Sequence, residues 1–171
     1  MSDISIILGG ARSGKSARAL TLAAHPPHVF IATAEALDTE MAARIARHRA
    51  ERGESWRVVE EPLELADAVR AHAAEGATLL IDCLTLWLSN LMHHGREPGA
   101  ETARLIAAMD LAPGRVVLVS NEIGLGLSPM NELGRAFRDE QGRLNQRIAA
   151  VADHVEFVAA GLPITLKGAP R

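Results

Sequence analysis

Lys15 sits in the run Gly9-Gly10-Ala11-Arg12-Ser13-Gly14-Lys15-Ser16, which has the spacing G-x-x-x-x-G-K-S. That spacing suits a loop that grips nucleotide phosphates. Glycines let backbone N–H groups converge on phosphate oxygens, and the helix that follows adds its positive N-terminal end. The lysine then reaches the β and γ phosphates as a point charge, while the Ser16 hydroxyl can ligate Mg²⁺. The chain has only two lysines among its 18 Lys and Arg residues, and one of them occupies this frame.

A loop of this kind needs an acidic partner for the metal at the end of a second apolar strand. Thr78-Leu79-Leu80-Ile81-Asp82 supplies it, so Asp82 joins Ser16 as a metal-shell candidate. Capping the helix that begins near Leu84 is the other role open to Asp82. Glu122, after the strand that ends in Ser120-Asn121, is a candidate base or ligand on the same rim. The loop Gly124-Leu125-Gly126-Leu127-Ser128-Pro129 follows it, at the place where open α/β sheets bind ligands. It is either a ligand-approaching loop or an ordinary strand-to-helix connection.

The third candidate is His48. Residues 38–52 read as a helix that opens with acids and closes with bases, as the helix dipole prefers. Met41, Ile45 and His48 share one stripe, and Arg44, Arg47, Arg49 and Arg52 surround the imidazole. Neighbouring cations push a histidine toward its neutral, nucleophilic form, and they also attract polyanions. An imidazole that attacks a nucleotide α-phosphate needs both. The alternative is a partly buried helix histidine beside a solvated basic face. None of the remaining histidines has metal-ligand spacing with acids or with the single Cys83.

The elements that must carry these residues alternate. Strands are expected at 4–8, 28–33, 55–60, 78–82, 115–120, 154–160 and 163–167, and helices at 15–24, 38–52, 62–74, 84–94, 100–110 and 131–152. Arg96-Glu97-Pro98-Gly99 reads as an interhelical loop, and Gly161-Leu162-Pro163 as a connection too short for a crossover. The last two strands should therefore pair antiparallel. The expected fold is α/β, a P-loop NTPase (RecA-like) three-layer sandwich with a mostly parallel sheet and an antiparallel C-terminal hairpin.

Length and composition fit one domain spanning 1–171. Apolar residues make up 48% and charged residues 23%, and the net charge is −3. Such a chain does not offer a broad nucleic-acid surface. Three Phe, two Trp and no Tyr leave little with which to stack bases. No apolar run approaches the roughly 18 residues of a membrane span, and the amino terminus enters a strand without a basic leader. A cytoplasmic protein is expected.

Several of these segments together resemble one enzyme family. They are Gly9 to Ser16, Ile31-Ala32-Thr33, Asp38 through His48, Val117 to Gly126, Phe137-Arg138-Asp139, and Gly142 to Arg147. The chain is similar over essentially its whole length to the bifunctional adenosylcobinamide kinases / adenosylcobinamide-phosphate guanylyltransferases of cobalamin biosynthesis. The resemblance implies two reactions. First, the corrinoid's aminopropanol hydroxyl is phosphorylated by a nucleoside triphosphate, ATP or GTP. GTP then transfers GMP to a histidine, and the phosphorylated corrinoid takes up the GMP to give adenosylcobinamide-GDP.

The resemblance further implies that the guanylylated histidine is His48, since Arg47 stands where relatives can carry a second histidine. It implies nucleotide contacts from Gly9 to Ser16, from Ala32, Thr33 and Ala34, from Arg49, Ala50, Glu51 and Arg52, and from Glu60 and Asp82. Some relatives have glutamate where this chain has Asp82. It also implies a homotrimer whose partners are a corrinoid and a nucleotide. Two other readings of the same residues are a monofunctional P-loop kinase of a small metabolite, with His48 structural, and a nucleotide-dependent switch that moves a loop such as 123–129.

Overall fold

The structure, a computed structural model, describes residues 3–23, 26–35 and 56–170. Seven strands form one sheet: β1 Asp3–Gly9, β2 His28–Ala32, β3 Trp56–Glu60, β4 Thr78–Asp82, β5 Arg115–Asn121, β6 His154–Ala159 and β7 Leu162–Lys167. Their spatial order is β3-β2-β4-β5-β1-β6-β7. Every neighbouring pair is parallel except β6 and β7, which run antiparallel. The central strands β1, β4 and β5 are apolar runs because both of their faces are covered. Ile6, Ile7, Leu79, Ile81 and Val116 to Val119 have no solvent exposure.

Alternation along the strands sorts the core into two layers. Ile7, Phe30, Leu80, Val117, Val119 and Val158 face α1 (Lys15–Leu22), which buries Ala19 against them. Ile6, Ile31, Leu79, Ile81 and Leu118 face the opposite way. Four helices supply the apolar cover there: α2 Leu65–His72, α3 Leu84–His93, α4 Pro98–Asp110 and α5 Glu132–Val151. Trp87 on α3 is almost fully buried and donates its indole N–H to the Leu63 carbonyl at 2.9 Å. The three-layer α/β sandwich expected from the sequence is the one observed.

Three local expectations need correction. Arg96–Gly99 is not simply a loop, because Pro98 and Gly99 already belong to α4. Glu97 caps that helix by accepting the Gly99 and Ala100 N–H groups, and proline at the first helical position loses no hydrogen bond. The turn between β6 and β7 falls one residue earlier than the expected strand bounds put it, since Ala159 pairs with Leu162 across Ala160 and Gly161. Ala160 and Gly161 both have positive φ (52° and 78°), as tight hairpins of right-twisted strands require. Finally, the N-cap of α3 is Cys83, so the capping position does not fall on Asp82. The helix expected at 38–52 lies outside the described residues.

Candidate active site

Two changes of backbone hand form the phosphate loop. Arg12 (φ 56°) and Gly14 (φ 97°) both adopt left-handed conformations between the end of β1 and the start of α1. Gly14 is the N-cap of α1, and a Cβ there would lie 3.0 Å from the Gly161 Cα. The Ser13 N–H donates to the Gly10 carbonyl at 3.3 Å and the Arg18 N–H to the Gly14 carbonyl at 3.0 Å. The first turn of α1 therefore opens at the carboxyl end of the sheet. Its leading N–H groups have no acceptor within the helix, which makes that end anion-binding.

Lys15 folds back across this loop, its ammonium donating to the Gly10 carbonyl at 3.0 Å. Partial burial lowers its pKa, and the negative charges available to Cys83 and Asp82 oppose that shift. The lysine thus lies within electrostatic reach of the end of β4, two strands away in the sheet. Asp82 continues the alternation that turns Leu80 toward α1, so it shares the face of the phosphate loop. Burial, followed by the neighbouring Asp82, pushes the Cys83 thiol up to about 11. That thiol is protonated at neutral pH and is no nucleophile.

Thr33 is fully buried and staples the ends of β2 and β4 together. Its hydroxyl donates to the Cys83 carbonyl at 2.7 Å and accepts the Cys83 N–H at 2.9 Å, while its own carbonyl accepts from Asn90 Nδ2 at 2.7 Å. The Thr33 hydroxyl is therefore engaged within the protein. On the same rim Ala32 is buried and Ala34 half-buried. Glu60 closes the outer strand β3 and is exposed. It lies four strands from β1, or about 19 Å at the usual strand spacing.

Glu122 turns its carboxylate back onto its own loop and accepts the Gly124 N–H. Its backbone N–H donates to the Gly9 carbonyl at 3.0 Å, which fixes the exit of β5 to the start of the phosphate loop. Beyond it, Leu125 and Leu127 are exposed. The loop is tied to α5, with Arg138 donating to Ser128 Oγ and Arg135 to the carbonyls of Pro129 and Met130. The structure thus brings together Gly9 to Ser16, Asp82 and the root of the Glu122 loop. It sets Ala32 to Ala34 and Glu60 further along the same rim. His48, Arg49, Ala50, Glu51 and Arg52 lie outside the described residues.

Sequence reasoning gave no role to two features. Asn121 is paired in register with Gly9. Its N–H donates to Thr85 Oγ1, its carbonyl accepts from Asn145 Nδ2, and its side-chain Oδ1 is buried with no hydrogen-bond partner among the described residues. A polar residue ending the apolar run Val116–Val119 was the available signal. The second feature is a buried ion pair under α1. Arg18 donates to both carboxylate oxygens of Glu156 at 2.7 Å, and the same carboxylate contacts His154 Nε2 at 2.9 Å. No short-range pattern links residues 138 positions apart.

Among the described residues no three His, Cys, Asp or Glu side chains cluster as a metal cage. Ser16 on the first turn of α1 and Asp82 at the end of β4 are hard oxygen donors on the same face of the sheet. That set fits Mg²⁺, which keeps several waters and takes much of its shell from substrate phosphates.

Residues 5–166 match the family model described as cobinamide kinase / cobinamide phosphate guanyltransferase. The bifunctional adenosylcobalamin biosynthesis protein CobP of Pseudomonas aeruginosa is 50% identical over 169 residues, covering 96% of this chain and 98% of that protein. The protein CobU of Escherichia coli, with the same description, is 39% identical over 178 residues, covering 95% and 98%. More distant likenesses concern the fold alone. The flagellar accessory protein FlaH of Methanocaldococcus jannaschii superposes with a TM-score of 0.52 at 13% identity, covering 97% of this chain and 78% of that one. The P4 protein of bacteriophage phi6 gives 0.53 at 16% identity, covering 94% of this chain and only about half, 52%, of that one.

Proposed function

Because the chain belongs to the cobinamide kinase / cobinamide phosphate guanyltransferase family, we propose that one rim of its sheet serves two successive reactions. In the first, a nucleoside triphosphate, ATP or GTP, phosphorylates the hydroxyl of adenosylcobinamide. In the second, GMP from GTP passes through His48 to the phosphorylated corrinoid and gives adenosylcobinamide-GDP. The observation that carries this reading is the family match over residues 5–166, on a chain whose Lys15 folds back over the phosphate loop.

Each residue has a task in this scheme. The amides of Gly9 to Ser16 and the Lys15 ammonium hold the terminal phosphates and stabilise the charge that builds on them. Ser16 and Asp82 would hold Mg²⁺, which when bound neutralises phosphate charge. His48 attacks the α-phosphorus of GTP, forming an N–P bond as the bond to pyrophosphate breaks. The phosphate of the corrinoid then attacks the same phosphorus and frees the imidazole. Arg49, Ala50, Glu51, Arg52, Glu60, Ala32, Thr33 and Ala34 complete the nucleotide contacts in this scheme. Residues 1–171 act as one unit.

A homotrimer in the cytoplasm completes the reading. Exposed Leu162, Ile164 and Leu166 on the outer strand β7 give a copy of the chain an apolar edge to cover. No helix among the described residues is long and apolar enough to cross a membrane.

The test uses GTP labelled at either phosphate. α-Labelled GTP should leave acid-labile, alkali-stable label on the protein, γ-labelled GTP should leave none, and His48→Asn should abolish labelling while corrinoid phosphorylation persists. Label retained by the His48 variant would place the nucleophile elsewhere. A wild-type protein that phosphorylates the corrinoid but never takes label would be a monofunctional kinase.

A further inference from the structure

The C-terminal hairpin meets the phosphate loop and the start of α1 at several points. The Gly161 N–H donates to the Ser13 carbonyl at 2.8 Å. A Cβ on Gly14 would lie 3.0 Å from Gly161 Cα, and one on Gly9 would lie 2.7 Å from the Val158 carbonyl. One turn into α1, Arg18 grips Glu156 of β6 through two hydrogen bonds of 2.7 Å. Gly9, Ser13, Gly14 and Arg18 thus each meet a residue of the hairpin. The hairpin turn itself has Ala160 as well as Gly161 at positive φ, a conformation unfavourable for a residue with a Cβ.

We infer that the Ala160–Gly161 turn positions the phosphate loop for both reactions, with Gly161 as a positioning residue that touches no substrate. A loop that binds phosphate through backbone amides works only while its peptide planes keep their directions. The middle of this loop has little packing of its own: Arg12 is exposed, and Ser13 and Gly14 are half-buried. The bond from Gly161 to the Ser13 carbonyl fixes the peptide plane that also carries the Gly14 N–H. Shifting the turn therefore re-aims an amide in the middle of the phosphate cradle. The family match spans both segments, and the inference rests on the P-loop part of the reading above but not on the guanylyl-histidine.

The hydrogen bond cannot be removed by deleting a side chain, so the test changes the turn. In Gly161→Val a β-branched residue is forced to positive φ, where it is an outlier, although nothing lies within 4 Å of the new Cβ. Gly76→Val is the matched control. Gly76 has φ 73° and equally open surroundings, but it precedes β4, at the amino end of the parallel strands. Asparagine tolerates positive φ, so Gly161→Asn should retain the turn.

GTP affinity is measured by equilibrium dialysis well below each variant's melting temperature, alongside thermal melting. The expected result is that both valine variants lose similar thermal stability, while only Gly161→Val weakens GTP binding, by about tenfold, the order expected for one misdirected hydrogen bond to a charged group. Gly161→Asn should restore affinity. If Gly161→Val does not fold, Gly161→Ala against Gly76→Ala makes the same comparison. Equal GTP affinity in the two valine (or alanine) variants, or failure of asparagine to restore binding, overturns the inference. A wild-type chain that binds no GTP overturns the P-loop reading itself, a distinct outcome.

Discussion

Glu156→Gln tests whether the ion pair beneath α1 is as important to the fold as its geometry indicates. The carboxylate side chain is only 1% exposed and its Arg18 partner 16%, so both groups are largely out of water. Removing one charge from such a pair strands the other, at a cost of about 3–5 kcal/mol. Glutamine keeps the shape and one acceptor, and the residual exposure of Arg18 admits some solvent, so the loss should fall at the low end, about 3 kcal/mol. For a chain of this length that corresponds to a melting temperature lower by about 6–12 °C.

The pH dependence gives the same argument a sign. Hydrogen bonding to Arg18 holds the Glu156 carboxyl below its ordinary range, against the opposing effect of burial. Its contribution is complete above the titration of the unfolded carboxyl, near about 4.3, and is lost as the pH falls through the lower folded value. Wild type and Glu156→Gln, melted by calorimetry from about pH 7.5 downward, should therefore differ most near neutrality and converge in acid. A difference below about 1 kcal/mol near neutrality, or one that widens on acidification, would refute the reasoning.

Two further substitutions probe the loop and the metal. Gly14→Ala forces a Cβ to φ 97° and to 3.0 Å from Gly161 Cα. It should cost about 2 kcal/mol, lower the melting temperature by about 4–8 °C and abolish nucleotide binding; a variant that melts and binds like wild type contradicts the description of the loop. Asp82→Asn should weaken the apparent Mg²⁺ affinity in turnover by about 10–100-fold while leaving metal-free nucleotide binding close to normal, as a Mg²⁺ titration of initial rates would show. Unchanged metal dependence would remove Asp82 from the metal shell.

What the sequence revealed, and what it concealed, follows from the range of each interaction. Buried parallel strands such as Thr78–Asp82 and Arg115–Asn121 are legible because both of their faces require apolar residues. The phosphate loop is legible because its chemistry is local, held in the consecutive residues Gly9 to Ser16. Pro98 misled because proline signals a loop and a helix start equally well, and only the Glu97 cap distinguishes them. The Thr33–Cys83–Asn90 staple, the Ser120–Gln141–Asn145 cluster and the Arg18–Glu156 pair were hidden for a different reason. Each joins elements whose adjacency depends on strand order, and no periodicity within one segment encodes that order.

Strand order also bears on how one rim can host two transfers. Counting from β1, Asp82 is two strands away, Ala32 three and Glu60 four. At about 4.8 Å per step these are about 10, 14 and 19 Å from the phosphate loop. No single phosphate can touch both Lys15 and Glu60. On the proposed reading, residues near β1 and β4 hold the pyrophosphate end of the nucleotide, and those near β2 and β3 face its nucleoside end. His48 follows β2 in the chain, and β2 ends on this rim. On the proposed scheme the α-phosphate lies between the two ends, and pyrophosphate departs into the loop that grips it. Phosphorylation of the corrinoid consumes a separate triphosphate, attacked at the γ-phosphorus, the end held by Lys15. The two reactions therefore differ in which phosphorus is attacked, while the loop braced by Gly161 serves both.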